Sequence, residues 1–200
     1  MSDGNGQGAQ PESFAFSDQN AERAAAFIAR YPEGRQASAV GPLLDLAQRQ
    51  SGGWLPRAAM HTVAAMLDMA PIRVYEVATF YTMFNLAPVG RHLVQVCTTT
   101  PCALRGSAAI VDACRDELGI GFGETTPDNA FTLVEVECLG ACVNAPMLQI
   151  GDDYYEDLDA DSTRRILKAL RDGETPKAGS QTGRSAAENA AGLTSLTGAE

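Results

Sequence analysis

Four of the five cysteines fall into two pairs, Cys97-x4-Cys102 and Cys138-x3-Cys142, with residues 103–137 between them. Thiolates are ligands for iron and for zinc, and four of them complete the all-cysteine coordination of one [2Fe-2S] cluster. Structural zinc sites more often use C-x2-C knuckles, so the x4 and x3 spacings favour iron–sulfur while leaving zinc open as a structural alternative. Two disulfides would need an oxidising compartment, for which nothing in the sequence argues, and an odd cysteine count points away from complete pairing. A thiol oxidoreductase would want a C-x-x-C at a helix N-terminus, and the sequence has none. Cys114 has no partner at ligand spacing and lies on an apolar helical stripe, so it reads as a packed core thiol. His61 and His92 stand in no C-x-H pair, which argues against a Rieske site; both read as structural or exposed.

Each cysteine pair must be held at the end of an element. His92, Val94 and Val96 alternate with Leu93 and Gln95, which predicts a strand ending at Cys97. A helix is expected from about Leu104 to Leu118, with Ile110, Cys114 and Leu118 on one stripe and its free N–H groups aimed back at the cysteines. Residues 130–136 predict a second strand leading to Cys138, and Leu139-Gly140-Ala141 is a small-residue loop whose backbone can approach the sulfurs. A short hairpin is expected from Met147–Ile150 and Asp153–Glu156. A last helix follows from about Ala160 to Asp172, capped by Asp159, with Ile166, Leu167 and Leu170 inward and Gly173 as its stop. Strand–helix–strand, hairpin, helix is a thioredoxin-like α/β pattern, and loops at one edge of such a sheet bring sequence-distant cysteines together. Asn144-Ala145-Pro146 precedes a strand, where such folds can carry a cis-proline.

The region before this is all-helical in pattern. Ser17 or Asp18 caps a first helix through the Ala-rich stretch to Arg30, which Pro32 and Gly34 close. Val40, Leu43, Leu44 and Ala47 mark a second helix ending at Gly52-Gly53. Pro56 is placed as first residue of a third helix, with Met60, Val63 and Leu67 on one face. Pro71 plays the same part for a fourth, through Val74, Val77, Ala78 and Tyr81. The fold class is therefore α+β, with a flexible N-terminus over 1–16, a helical bundle over 17–88, a thioredoxin-like domain over 89–173 and a tail over 174–200.

With 200 residues and 45% hydrophobic content the chain can bury a substantial core, and no apolar run is long enough to span a bilayer. A net charge of −10 disfavours nucleic acid as a partner. The polar, acidic, Gly-rich N-terminus, including Gly4, Gly6 and Gly8, has neither signal-peptide nor transit-peptide character, so the chain is expected to stay where it was made.

Gly119-Ile-Gly121-Phe-Gly123 follows a helix rather than a strand and lacks the spacing of a dinucleotide loop, so it reads as a turn. No P-loop, nucleophile elbow, flavin motif or carboxylate pair for acid–base work is present, and no catalytic residue is assigned. A protein that can hold single electrons but cannot take a hydride implies a partner that handles the two-electron donor.

The strings Val74-Tyr-Glu-Val-Ala-Thr-Phe-Tyr-Thr-Met-Phe84, Val96-Cys-Thr-Thr-Thr-Pro-Cys102, Val136-Glu-Cys-Leu-Gly-Ala-Cys-Val-Asn-Ala-Pro146 and Asp152-Asp-Tyr-Tyr-Glu-Asp-Leu158 resemble one family closely. It is the small [2Fe-2S] subunit of respiratory complex I, the proton-translocating NADH-quinone oxidoreductase. The resemblance spans about residues 17–172. Gly183-Arg184 and Gly192-Leu-Thr-Ser-Leu-Thr197 extend it to the end of the mitochondrial and alphaproteobacterial forms, whereas Ser185 to Ala191 matches weakly.

The resemblance implies a helical bundle joined to a thioredoxin-like ferredoxin domain, with one [2Fe-2S] cluster on Cys97, Cys102, Cys138 and Cys142. It implies direct docking on the subunit that binds FMN and NADH, contact with other peripheral-arm subunits, and a tail ordered against a partner. The expected place is peripheral, on the cytoplasmic side of the bacterial inner membrane, and the isolated protein should not oxidise NADH. The equivalent module of an NAD-linked formate dehydrogenase or hydrogenase is the alternative within the same chemistry; Phe80-Tyr-Thr-Met-Phe84 and Leu193-Thr-Ser-Leu-Thr197 favour complex I. A zinc-stapled interaction module is the alternative from a different class.

Overall fold

A computed structural model describes residues 10–185, and the chain divides into two compact units between Val89 and Gly90. The glycines at positions 4, 6 and 8, and the segment 186–200 with Gly192 to Thr197, lie outside the described residues.

The first unit is built from four helices: α1 (Asp18–Ile28), α2 (Val40–Gln50), α3 (Arg57–Met66) and α4 (Pro71–Phe80). Ser17 caps α1 by accepting from the Asn20 backbone N–H, which satisfies one of the donors a helix start leaves free. Leu43, Leu44 and Ala47 of α2, Met60 and Val63 of α3 and Val74 and Ala78 of α4 are all buried in one core, as their three- and four-residue spacing requires.

Two details depart from expectation. Pro56 has an extended backbone and stands just outside α3 rather than as its first residue. Tyr81 lies past the end of α4 with an extended backbone and is 53% exposed. The stretch expected to be mobile up to residue 16 packs from Gln10 onward. Phe14 and Phe16 meet edge to face at 5.1 Å against the core, the Phe14 carbonyl accepts from Thr62 Oγ1 at 2.9 Å, and Gln10 Oε1 accepts from Arg57 N at 3.0 Å. These aromatics bury surface without any helical period to announce it.

The second unit is a six-stranded mixed sheet in the order β2-β3-β1-β4-β5-β6. Its strands are β1 (His92–Cys97), β2 (Glu124–Thr125), β3 (Phe131–Val136), β4 (Leu148–Ile150), β5 (Asp153–Glu156) and β6 (Gly179–Ser180). Strand β1 runs parallel to β3 with Cys97 opposite Val136, so both strands deliver their following loops to the same edge. The connection between them carries a short helix α5 (Thr100–Leu104) and the longer α6 (Ser107–Leu118). The helix expected from about Leu104 starts at Ser107 instead, after the unexpected α5: Gly106, at φ 95°, adopts a left-handed turn open to glycine and separates the two.

Helix α7 (Ala160–Arg171) packs with α6, and a reciprocal capping box between Asp159 and Ser162 starts it. Ile110, Val111, Cys114 and Leu118 from α6 and Ile166, Leu167 and Leu170 from α7 cover Val94, Val96, Phe131 and Leu133 of the sheet. The tail expected to order on a partner begins by pairing with this chain's own sheet, β6 adding in parallel to β5 with Tyr155 opposite Gly179. Gly119 closes α6 in a left-handed conformation and Gly123 lies in the following turn, so that glycine series is a turn as expected.

Candidate metal centre

All four predicted ligands gather at the edge where β1 and β3 end. Cys97 is the last residue of β1, and Cys102 lies inside α5. Cys138 follows β3, and Cys142 opens a 3-10 turn through Asn144. Because Cys102 sits within α5, and α6 begins only at Ser107, the sulfurs are not served by the start of a long helix as the sequence pattern suggests.

The donors come instead from loop backbone and one hydroxyl. Thr99 Oγ1 lies 3.3 Å from Cys97 Sγ. Burial would push the Cys97 thiol up, but the Thr99 hydroxyl and N–H, the Cys102 thiol and the Leu139 N–H together hold it below its ordinary value. The Gly140 N–H, and then the Cys142 thiol, do the same for Cys138. Gly140 is at φ 87°, a conformation that keeps the Leu139-Gly140-Ala141 backbone turned toward the sulfurs.

Within each pair the second thiol moves the other way. Burial and then donation to Cys97 push Cys102 up to about 12, and donation to Cys138 raises Cys142. Within each pair, then, one thiol is held below its ordinary value and the other is pushed above it.

All five cysteines are free. The Cys138 and Cys142 sulfurs stand 3.3 Å apart, far beyond the roughly 2.05 Å of a disulfide. Tetrahedral metal–thiolate bonds of about 2.3 Å place two sulfurs roughly 3.8 Å apart, so a small opening of this pair accommodates one iron. Among the described residues no three His, Cys, Asp or Glu side chains converge on a single ion position. The four thiols stand instead as two pairs, each of which would suit one iron of a two-iron cluster. Cys97 and Cys102 are buried at 1% exposure with Ala145 and Met147, whereas Cys138 and Cys142 are exposed. Half-buried Leu139, Ala141 and Tyr154 close the apolar side.

The other cysteine and the histidines lie apart from this arrangement. Cys114 is fully buried in the α6 stripe, where burial pushes its thiol up to about 12. His92 is half-buried against Phe131 at 5.1 Å, and burial, then Arg91, lower its pKa. His61 lies against Tyr75 in the helical unit.

Three supporting residues were not singled out from the sequence. Thr99 lies in the x4 spacer itself, so its place beside a ligand was the available signal. The Tyr154 hydroxyl donates to the Leu139 carbonyl at 2.8 Å, and Arg184 reaches the Val143 carbonyl at 2.7 Å from the tail. Neither of these long-range contacts leaves a periodic trace. The Ala145–Pro146 bond, a candidate cis bond from its place before a strand, is cis.

The family model for "Thioredoxin-like [2Fe-2S] ferredoxin" matches residues 24–171. The chain belongs to this family. Two relatives of this thioredoxin-like ferredoxin are far more similar to it than a shared fold requires. It is 55% identical over 183 residues to a mitochondrial NADH dehydrogenase [ubiquinone] flavoprotein 2 of Dictyostelium discoideum, covering 92% of this chain and 74% of that one. It is 57% identical over 158 residues to an NADH-quinone oxidoreductase subunit of Rickettsia bellii, covering 79% of this chain and 95% of that one. Among solved structures, an NAD+-reducing [NiFe]-hydrogenase in the air-oxidised state superposes with a TM-score of 0.57 at 21% identity over 65% of this chain. The match spans only 23% of that hydrogenase chain, and the likeness shows the fold alone. No helix among the described residues is long and apolar enough to cross a membrane.

Proposed function

We propose that this protein is an electron-transfer subunit of NADH-quinone oxidoreductase. In this reading it holds one [2Fe-2S] cluster on Cys97, Cys102, Cys138 and Cys142. The observation that carries the reading is the delivery of both cysteine pairs to one sheet edge by the parallel strands β1 and β3, in a member of a [2Fe-2S] family. A cluster bound there supplies one-electron exchange at a potential set by its ligands and their hydrogen bonds.

The chain's own residues do the rest. Cys97 and Cys102 would hold the cluster from the apolar interior, and Cys138 and Cys142 from the exposed side, where a second chain's redox group can approach. Thr99 and the N–H groups of Leu139 and Gly140 offset the negative charge of the thiolates. The partner is the FMN- and NADH-binding subunit, docked directly, with other peripheral-arm subunits around it. The assembly stands on the cytoplasmic side of the bacterial inner membrane. Identities of 55% and 57% to NADH dehydrogenase and NADH-quinone oxidoreductase subunits favour this complex over the hydrogenase-type alternative, which rests on fold likeness at 21%.

The test is spectroscopic and then functional. The purified protein should show a rhombic EPR signal on reduction and no NADH–ferricyanide activity until the FMN-binding subunit is added. A colourless, EPR-silent protein, or NADH oxidation by this chain alone, would contradict the proposal.

A further inference from the structure

The loop that carries Cys142 is tied down from a distance by the tail. Cys142 opens the turn Cys142–Asn144, and Asn144 is buried at 1% exposure. Its side-chain amide donates to Glu156 Oε2 at 2.8 Å, and its backbone carbonyl accepts from Asp157 N at 2.7 Å. Beyond β6, Nη2 of Arg184 lies within hydrogen-bond distance of three acceptors, the Val143 carbonyl at 2.7 Å, Asn144 Oδ1 at 2.9 Å and Asp157 Oδ1 at 2.7 Å, which share its two N–H groups. Its Nε reaches Asp157 Oδ2 at 3.3 Å, and Ser180 Oγ donates to the same oxygen at 2.6 Å.

Two features set this apart from an ordinary surface ion pair. The Asp157 side chain is only 8% exposed although that of Arg184 is 51% exposed, and Asp157 sits at φ 53°, a left-handed conformation that a non-glycine residue keeps only where its surroundings impose it. Exposed ion pairs contribute little to global stability. Arg184, however, directs one nitrogen, Nη2, at the two acceptors immediately following Cys142, so its value lies in position. Groups that orient metal ligands matter to a site well beyond their own bond energies.

We propose that Arg184, anchored by Asp157, is a positioning residue of the cluster centre: it fixes the Cys142–Asn144 turn so that Cys142 stays paired with Cys138. The inference rests on the reading of these cysteines as ligands. Its consequence is that cluster retention depends on the seating of the tail at β6, far along the chain from the ligand it serves.

The full-length protein carrying its cluster provides the test, in the variants R184M, R184K and D157N, with R171M as a matched lesion. Arg171 is also half-exposed and pairs with Glu117 at 3.0 Å, away from the cysteines. Cluster release to an iron chelator is followed by visible absorbance, the reduced EPR spectrum is recorded, and thermal unfolding is measured in parallel. R184M and D157N should release the cluster about 10- to 100-fold faster than wild type with altered g values. R184K should restore part of the lifetime, since one ammonium still reaches one acceptor, and R171M should release at the wild-type rate whatever it does to unfolding. R184M releasing within about twofold of wild type with an unchanged spectrum, or R171M releasing as fast as R184M, would overturn the clamp. A wild-type protein that takes up no iron would instead sink the ligand assignment, and the clamp with it.

Discussion

The two cysteine pairs solve the same problem with different means. Cys97 and Cys102 are buried at 1% exposure, placed by the end of β1 and by α5 and packed against Met147 and Ala145. Cys138 and Cys142 are exposed, on a small-residue loop and a 3-10 turn that share no regular element. The inner pair is fixed by the hydrophobic core that forms with the fold, whereas the outer pair is fixed by individual hydrogen bonds from Tyr154 and Arg184. A redox centre gains from this division. On the proposed ligand assignment, one side of the cluster would be enclosed by apolar side chains and the other open enough for electrons to enter or leave.

The largest expected contrast is between serine variants of the two pairs. C97S and C102S should assemble no cluster, because the shorter serine side chain, packed among Met147 and Ala145 at positions fixed by β1 and α5, cannot move to bring its oxygen to the place of the sulfur. C138S or C142S should retain a fraction of cluster with a shifted EPR spectrum, since the exposed loop can move to bring an oxygen ligand in; equal loss in all four variants would remove the inner–outer distinction. Next in size, M147A deletes a fully buried side chain behind the inner pair, and chemical denaturation should show the fold destabilised by about 2–5 kcal/mol.

On the outer side, Y154F removes only the hydroxyl that holds Leu139. Its cost should be about 1 kcal/mol, with faster amide exchange confined to residues 139–142; exchange rising instead across β1 would show that the two halves are not separately held.

The smallest effect serves as a control away from both pairs. The Ser162 N–H and hydroxyl hold the Asp159 carboxyl below its ordinary value. Its stabilising contribution is therefore full above the unfolded-state value near about 4 and is lost as pH falls through the lower folded-state value. D159A should cost about 1 kcal/mol at neutral pH, with the gap to wild type closing below about pH 4 and the cluster untouched throughout.

Much of this was legible in the sequence because the determining signals are local. Cys97 and Cys138 each follow an alternating run that must be a strand, and Ile110, Cys114 and Leu118 announce their helix face by spacing. Parallel pairing of β1 with β3 then brings the two cysteine loops to one edge without further information. What escaped was decided by contacts between segments far apart in sequence. The two-residue strand Glu124–Thr125 is too short to show a period, and Gly179–Ser180 joins the sheet from a stretch whose composition suggests only a linker. Phe14 and Phe16 bury their rings outside any helix. Gly106 separates the unexpected short helix α5 from α6 through a single backbone angle. Tyr154 and Arg184 support the outer loop from positions that no spacing rule connects to Cys138 or Cys142.

The assignment of four ligands and one structural thiol is tested most directly by counting iron, acid-labile sulfide and zinc in the purified wild-type protein and in C114A. The account predicts two irons, two sulfides and no zinc per chain in both proteins. One zinc per chain in the wild type, or loss of the iron in C114A, would contradict it.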